Sequence, residues 1–545
     1  MTKNFCIPLC MMLGLMHAAS AQQDEASCSR LMNLPLVKAG IISATLVSAA
    51  PLPAAAGQKP PESVEVAAHC EVKAVATPSS DSQINLEVWL PLPSAWNGKY
   101  MQLGSGGWGG STSIRGMVTP LNRGYVVAST DDGHDNKQDG TGKFTTGHPE
   151  KLIDFGYRAI HQTSVQTRLI LEAFYGKPQQ HAYFVGCSDG GREALMQVER
   201  FPEDFDGVVA GAPANNWTRQ FTGFVWNERA LFASGKNILP AEKLPLLESA
   251  ALKACDAFDG VRDGLIDYPP ACHFDPAVLE CKSGDRPDCL TRAQVEAVRN
   301  IYSGPRDPQT GEQIYPGYEP GTEAEDSAWK SWILGGTQAG FGNSNFADAV
   351  YENSSWNWRT SNLHDDLLLA QAKVAPYVDS YNPDLRSFRD HGGKLIQYHG
   401  WGDAAVAPQD SIDFYNKVSA FLAAYPDPRE HHAQPVNSFY RLFMVPGMSH
   451  CWGGAGTGSF GNEVFPADGV PQDADHDVVL ALDRWVTEGV APDRIIATRT
   501  KDQPPSVATP GTMTRPLCPY PQRAHYKGSG SPDNAANFEC RLPDR

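Results

Sequence analysis

Residues 182–201, AYFVGCSDGGREALMQVERF, pass from a run of strand formers to a run of helix formers through a turn holding Gly186, Gly190 and Gly191. A strand that feeds straight into a helix belongs to a layered α/β protein, where the helix packs back on the sheet. Within that turn, Gly186-Cys187-Ser188-Asp189-Gly190 is a G-x-S-x-G pattern. The pattern alone is common by chance. Between a strand and a helix it forms a nucleophile elbow, whose tight turn needs small flanks and lifts the serine hydroxyl above the sheet.

The same rhythm recurs along the chain. SQINLEVWLPLP (82–93) alternates like a half-buried strand, and KYMQL (99–103) and YVVAST (125–130) read as short strands. Residues 154–176 have helical periodicity, and Gly176 closes them. GVVAGAP (207–213), KLIQYHGWGD (394–403) and YRLFMVPGMSHC (440–451) are later strands that end in loops. This alternation predicts a mostly parallel sheet with helices on both faces. Residues 214–385 break it. They are rich in Trp, Asn, Gly and Pro, hold Cys255, Cys272, Cys281 and Cys289, and read as an inserted lid domain. The catalytic core is then expected to span 22–213 and 386–545.

The N-terminus, MTKNFCIPLCMMLGLMHAASAQQ, sets a lone Lys3 before a short apolar run ending at Ala19-Ser20-Ala21. This reads as a secretory signal over residues 1–21, the alternative being a buried N-terminal helix. The apolar stretch 39–57 is broken by Pro51 and Pro53 and is too short to span a bilayer. The expectation is a soluble exported protein, secreted or periplasmic, with no membrane partner. A formal charge of −17 argues against nucleic-acid or anionic-membrane binding and says little about a neutral substrate.

Cys6 and Cys10 leave with the signal, and ten cysteines remain. An even number in an exported chain points to five disulfides. Sequence neighbours suggest Cys255 with Cys272 and Cys281 with Cys289; the chain ends suggest Cys28 with Cys70 and Cys518 with Cys540. Cys187 and Cys451 are left for each other, although sequence does not fix connectivity.

A serine hydroxyl needs a base to become a nucleophile. After an elbow the partners follow in the order acid, then histidine. Asp403 ends one later strand and His450 ends the last. Asp410 is the rival acid, and His134, in DDGHD, is the rival base although it precedes the serine; His399 reads as structural. A Ser188–His450 contact also brings Cys187 and Cys451 together, within the ~4.4–6.8 Å that a disulfide requires. Such a long loop could contribute on the order of 5 kcal/mol. The competing reading makes Cys187 itself the nucleophile. The oxyanion needs fixed donors. Candidates are the N–H of Asp189 and, from the loop GSGGWGG, that of Gly106 with Gly107 beside it; the alternative is a plain flexible turn.

CDAFDGVRDGLIDYPPAC (255–272) packs Asp256, Asp259, Asp263 and Asp267 between two cysteines. Carboxylates around glycine turns suit Ca²⁺, and carbonyls of Val261 and Leu265 could complete the shell. The spacing is not that of an EF-hand, and the competing reading is a solvated acidic loop. A structural role is expected, far in sequence from Ser188.

Together, GCSDGGREAL, YHGWGD, VPGMSHC, CDAFDGVRDG and TRPLCPYPQ resemble the tannase/feruloyl esterase family, from about Cys28 to Cys540. The resemblance implies an α/β-hydrolase core with a large inserted lid and a triad of Ser188, Asp403 and His450. It also implies the Cys187–Cys451 bridge, an oxyanion loop at Gly106 and Ca²⁺ at Asp256, Asp259, Val261, Asp263 and Leu265. Members that hydrolyse mono(2-hydroxyethyl) terephthalate carry a lid Arg that grips the free carboxylate. Between Lys330 and Arg359 this chain has no Arg or Lys, and an unpaired buried carboxylate is costly. FGNSNFADAVYENSSWNW (341–358) offers aromatic and amide groups for a phenolic ring instead. The expected activity is that of a serine carboxylesterase without an organic cofactor. Its substrate is a small aromatic ester, ferulate-type above others, or a phenolic-esterified polysaccharide. Gallate esters and terephthalate monoesters are the alternatives, and a non-catalytic Ca²⁺-stabilised phenolic-binding protein is the rival from another class.

Overall fold

The run Gly207–Gly211 is buried along its whole length, as a strand covered on both faces must be. It belongs to a nine-stranded sheet in a computed structural model that describes residues 22–53, 64–136, 140–232, 235–426, 435–500 and 512–543. The expected signal segment 1–21 lies outside the described residues.

The strands are β1 (Ala39–Val47), β2 (His69–Ala76), β3 (Ile84–Pro91), β4 (Lys99–Leu103), β5 (Val126–Thr130), β6 (His181–Cys187), β7 (Gly207–Gly211), β8 (Lys394–Gly400) and β9 (Tyr440–Val445). Their order across the sheet is β1-β2-β3-β5-β4-β6-β7-β8-β9. The pairs β1–β2, β2–β3 and β3–β5 are antiparallel; every other pair is parallel. The helices used below are α1 (Ile114–Asn122), α2 (Ala159–Tyr175), α3 (Asp189–Arg200), α4 (Trp217–Phe232), α5 (Arg292–Ser303), α6 (Thr337–Ser344), α7 (Leu363–Lys373), α8 (Pro408–Ala424) and α9 (Val478–Glu488).

Side chains alternate across a strand, so neighbours serve opposite cores. Phe184 and Val208 join Ile170, Leu195 and Phe414 under α2, α3 and α8. Tyr183 and Val209 join Val478, Leu482 and Trp485 under α9. Each such aliphatic side chain contributes about 1.5–3 kcal/mol when fully buried. Gly176 ends α2 at φ 71°, with its N–H donating to the Glu172 carbonyl at 2.8 Å; a left-handed cap of this kind favours glycine.

Between β7 and β8 the chain builds a separate apolar cluster. Phe221, Phe224, Ile301, Trp329, Phe346 and Leu367 pack together there, with Trp108, Phe155 and the Ala404–Ala407 loop at its edge. The sheet begins where periodicity gave no warning. β1 lies in the apolar stretch weighed above for a membrane span, and it pairs with β2 as an edge strand with a register shift between Ile41 and Ser43. Among the described residues no helix is long and apolar enough to cross a membrane.

Candidate active site

Ser188 sits between β6 and α3 at φ 64°, ψ −121°, a strained conformation for a residue with a side chain. The glycines around it are steric necessities. A Cβ on Gly186 would lie 2.3 Å from the Gly190 carbonyl oxygen, and one on Gly190 would lie 2.7 Å from that of Ser105. The turn therefore closes only on glycine, and it points the serine hydroxyl beyond the strand end.

His450 follows β9, and its Nε2 lies 2.8 Å from Ser188 Oγ. Its Nδ1 lies 2.7 Å from Asp403 Oδ2, in the loop after β8. A carboxylate only accepts, so Nδ1 carries the proton and Nε2 is free to take one from the serine. Asp403 is fixed further by backbone donors, with Ala405 N at 2.7 Å and Val406 N at 2.9 Å from Oδ1. Burial works to raise its pKa, but the His450 charge and the hydrogen bonds from His399 and His450 win and hold it well below the usual carboxylate range.

His399, expected to be structural, lies against the acid of the relay. Its Nε2 lies 3.2 Å from Asp403 Oδ2 and 3.1 Å from the Val406 carbonyl, and its Nδ1 lies 2.7 Å from Ser411 Oγ. The carbonyl can only accept, so Nε2 donates to both oxygens. The rivals fall elsewhere. Asp410 Oδ1 accepts from Asn216 and Tyr381. His134 stacks on Phe144 with ring centroids 3.6 Å apart.

Cys187 and Cys451 form a disulfide with Cα atoms 5.9 Å apart, which leaves no free thiol beside the serine. The other pairs are Cys28–Cys70, Cys255–Cys272, Cys281–Cys289 and Cys518–Cys540. Gly106 and Asp189 both line the cavity above Ser188. A Cβ on Gly106 would meet nothing within 4 Å, so that backbone faces open space.

The cavity measures about 530 Å³, within the range for small-molecule sites. One wall is aromatic: Trp217, Phe221, Phe224, Trp332 and Phe341. Trp332 stands edge-on to the His450 ring at 5.1 Å. This corrects one expectation. Of the aromatics in 341–358, only Phe341 is among the lining residues; Phe346 stacks on Trp356 at 5.0 Å, inside the inserted segment. The wall comes mainly from α4 and the π-helical segment Asp326–Leu334 that holds Trp332, whose exposure to the cavity depends on tertiary packing. Arg123 is the one Lys or Arg lining the cavity among the described residues, and Asp477 pairs with it at 2.6 Å.

In the acidic loop, Asp256 accepts from the N–H groups of Asp263 and Gly264, and Asp259 Oδ1 from that of Val261. Arg515 pairs with Asp263. Asp259 Oδ2 and both oxygens of Asp267 are buried without a hydrogen-bond partner. Bare carboxylates of this kind fit a hard cation that takes oxygen ligands. Among the described residues, however, acidic oxygens from three residues converge within 4.8 Å only at Asp132, Asp189 and Glu193, outside this loop.

The family model for tannase and feruloyl esterase matches residues 70–541. The chain belongs to this family. It is a carboxylic ester hydrolase of the feruloyl esterase/tannase type, with an α/β-hydrolase fold. An uncharacterized esterase of Xanthomonas campestris pv. campestris is 37% identical over 97% of this chain and 92% of its own length. The mono(2-hydroxyethyl) terephthalate hydrolase of Piscinibacter sakaiensis is 31% identical over 87% of this chain and 85% of its own. The crystal structure of feruloyl esterase B from Aspergillus oryzae superposes with a TM-score of 0.83 at 30% identity, covering 95% of this chain and 100% of that one.

Proposed function

We propose that this chain is an exported serine esterase that hydrolyses esters of aromatic acids, ferulate-type above others. The observation that carries the reading is the relay Ser188–His450–Asp403, at 2.8 and 2.7 Å, opening into an aromatic-walled cavity. Ser188 Oγ attacks the ester carbonyl as His450 Nε2 takes its proton. Asp403 holds the imidazolium, and the N–H groups of Gly106 and Asp189 hold the oxyanion. His450 returns the proton to the leaving alcohol, and water, activated by the same base, then releases the acid.

The relative's substrate, a terephthalate monoester, carries a free carboxylate. The only cation lining this cavity among the described residues is already bonded to Asp477, and burying an unpaired carboxylate is costly. A neutral phenolic ester asks for no cation. The segment 214–385 acts as the lid domain, and the disulfides favour an oxidising location, secreted or periplasmic. A structural Ca²⁺ is held by Asp256, Asp259 and Asp263 with the Val261 and Leu265 carbonyls, where it answers the bare carboxylates of Asp259 and Asp267.

Initial rates on methyl ferulate, methyl gallate and mono(2-hydroxyethyl) terephthalate, with Ser188→Ala as the blank, test this. Ferulate should lead and the blank should be dead. A lead for gallate or terephthalate overturns the acyl preference, and an active blank overturns the relay.

A further inference from the structure

The loop that carries Gly106 is fastened to the helix that carries Asp189. The Gly190 N–H donates to the Ser105 carbonyl at 3.0 Å. That carbonyl and the Gly106 N–H belong to one planar trans peptide and point in opposite directions. Gripping the carbonyl from α3 therefore aims the Gly106 N–H away from the helix, toward the open side. The other half of the grip is Glu193. Its Oε2 accepts from the Ser105 N–H at 2.9 Å, and its Oε1 lies 3.0 Å from Ser105 Oγ. The same hydroxyl lies 3.1 Å from Asp189 Oδ2.

A hydroxyl has one hydrogen. Ser105 cannot donate to both carboxyls, so one of the two contacts uses the other group's proton. Arg192 decides which. Its guanidinium is paired with Asp189, and both groups are almost fully buried. Asp189 is therefore the anion and takes the Ser105 hydrogen, which leaves Glu193 as the donor.

We propose that Glu193 is a positioning residue of the oxyanion hole, clamping Ser105 as a neutral carboxylic acid that accepts from its N–H and donates to its hydroxyl. The proposal rests on the serine-esterase reading above.

Charge supports it. Asp132, Asp189 and Glu193 converge within 4.8 Å of one another and are buried, and among the described residues Arg192, on Asp189, is the one cation paired with any of them. Three carboxylates against one guanidinium would leave a buried excess of negative charge, which proteins avoid by keeping protons. Burial, then the Asp189 charge, push Glu193 up to about 7. Burial, then the charges of Glu193 and Asp189, push Asp132 well above the carboxylate range. The groups facing Glu193 are Asp189 and Arg192 from its own helix, Ser105 from the loop after β4 and Asp132 from the loop after β5. Asp131, next in chain, turns its carboxylate to Asn85 and the Gly133 N–H. Once Glu193 gives its proton to solvent, two carboxylates compete for one Ser105 hydrogen and the clamp weakens.

The test is kcat and KM on phenyl acetate, followed by pH-stat from pH 6 to 9, for wild type, Glu193→Ala, Glu193→Gln and Ser188→Ala. Phenyl acetate makes the result independent of acyl preference. Glu193→Ala should lose on the order of 10- to 100-fold in kcat at pH 6.5 with little change in KM, as expected for a displaced oxyanion donor. Gln keeps an acceptor and a donor without titrating. Wild type should lose kcat as pH rises past the Glu193 value, which is pushed up to about 7, and Glu193→Gln should restore the rate and lack that fall. A wild-type kcat in Glu193→Ala, or superimposable alkaline limbs in wild type and Glu193→Gln, overturns the proposal. If Glu193→Ala does not fold, the second comparison decides alone. An active Ser188→Ala would instead sink the serine-esterase reading, which separates the two failures.

Discussion

Asp403 is the most constrained residue of the relay, because each of its oxygens is spoken for twice. Oδ1 takes two backbone N–H groups and Oδ2 takes two imidazoles. An amide at this position could not accept on both atoms and would turn a donor toward one histidine. Asp403→Asn should therefore keep the fold but lower kcat by about 10⁴, as the wrong tautomer does in such relays. Single-turnover rates with KM measured alongside check this, and a loss under tenfold would remove Asp403 from its role. His399 acts on the same carboxylate without facing the serine, so it positions and does not react. His399→Ala should lower kcat by about 10- to 100-fold through misplacement. It should also lower stability, because the Val406 carbonyl loses the His399 donor and Ser411 keeps only its bond from Gln397.

At the scale of elements, the relay is assembled by three strand ends, those of β6, β8 and β9, and the Cys187–Cys451 bridge ties the first to the last across a separation of 264 residues. The strands that carry chemistry were legible because their signals are local: an apolar run, a glycine turn, a polar residue past the end. The five cysteine pairs were legible for a related reason, since close neighbours and chain ends left one pair over. β1 and β2 were not, because an edge pair with a register shift has no clean alternation. The aromatic wall was misplaced along the inserted segment because which face a lid residue shows depends on packing around Trp217 and Phe221, not on spacing. The Ser105–Glu193 contact spans 88 residues and has no motif at all. Trp332 tests the wall. It lines the cavity beside His450, edge-on to that ring, and an aromatic contact is worth about 0.5–1.5 kcal/mol beyond its burial. Trp332→Ala should raise KM for methyl ferulate several-fold while leaving KM for methyl acetate nearly unchanged. Equal effects on both esters would mean that the ring supports His450 and not the substrate.

For the whole molecule, stability should depend on metal and on pH in separable ways. The buried oxygens of Asp259 and Asp267 would gain a partner in a bound cation, so chelation with EDTA should lower Tm by several degrees and added Ca²⁺ should restore it. An unchanged melt counts against the metal. The pH dependence comes from buried acids elsewhere, so it is measured in saturating Ca²⁺. Burial pushes Glu193 up to about 7, Glu248 up to about 8 and Asp410 up to about 7, whereas in the unfolded chain such groups titrate near 4. Between those limits the folded state holds protons that the unfolded state has released. Stability therefore falls as pH rises, with a limiting slope of about 1.4 kcal/mol per pH unit for each group. Unfolding free energy should be highest near pH 5 and should decline through pH 8. Glu248→Gln should flatten part of that decline, because an amide in the same place has no proton to lose. A stability that instead climbs from pH 5 to pH 8 would mean that these carboxyls ionise in the folded protein at ordinary values, and that burial is being answered by charges other than those around them here.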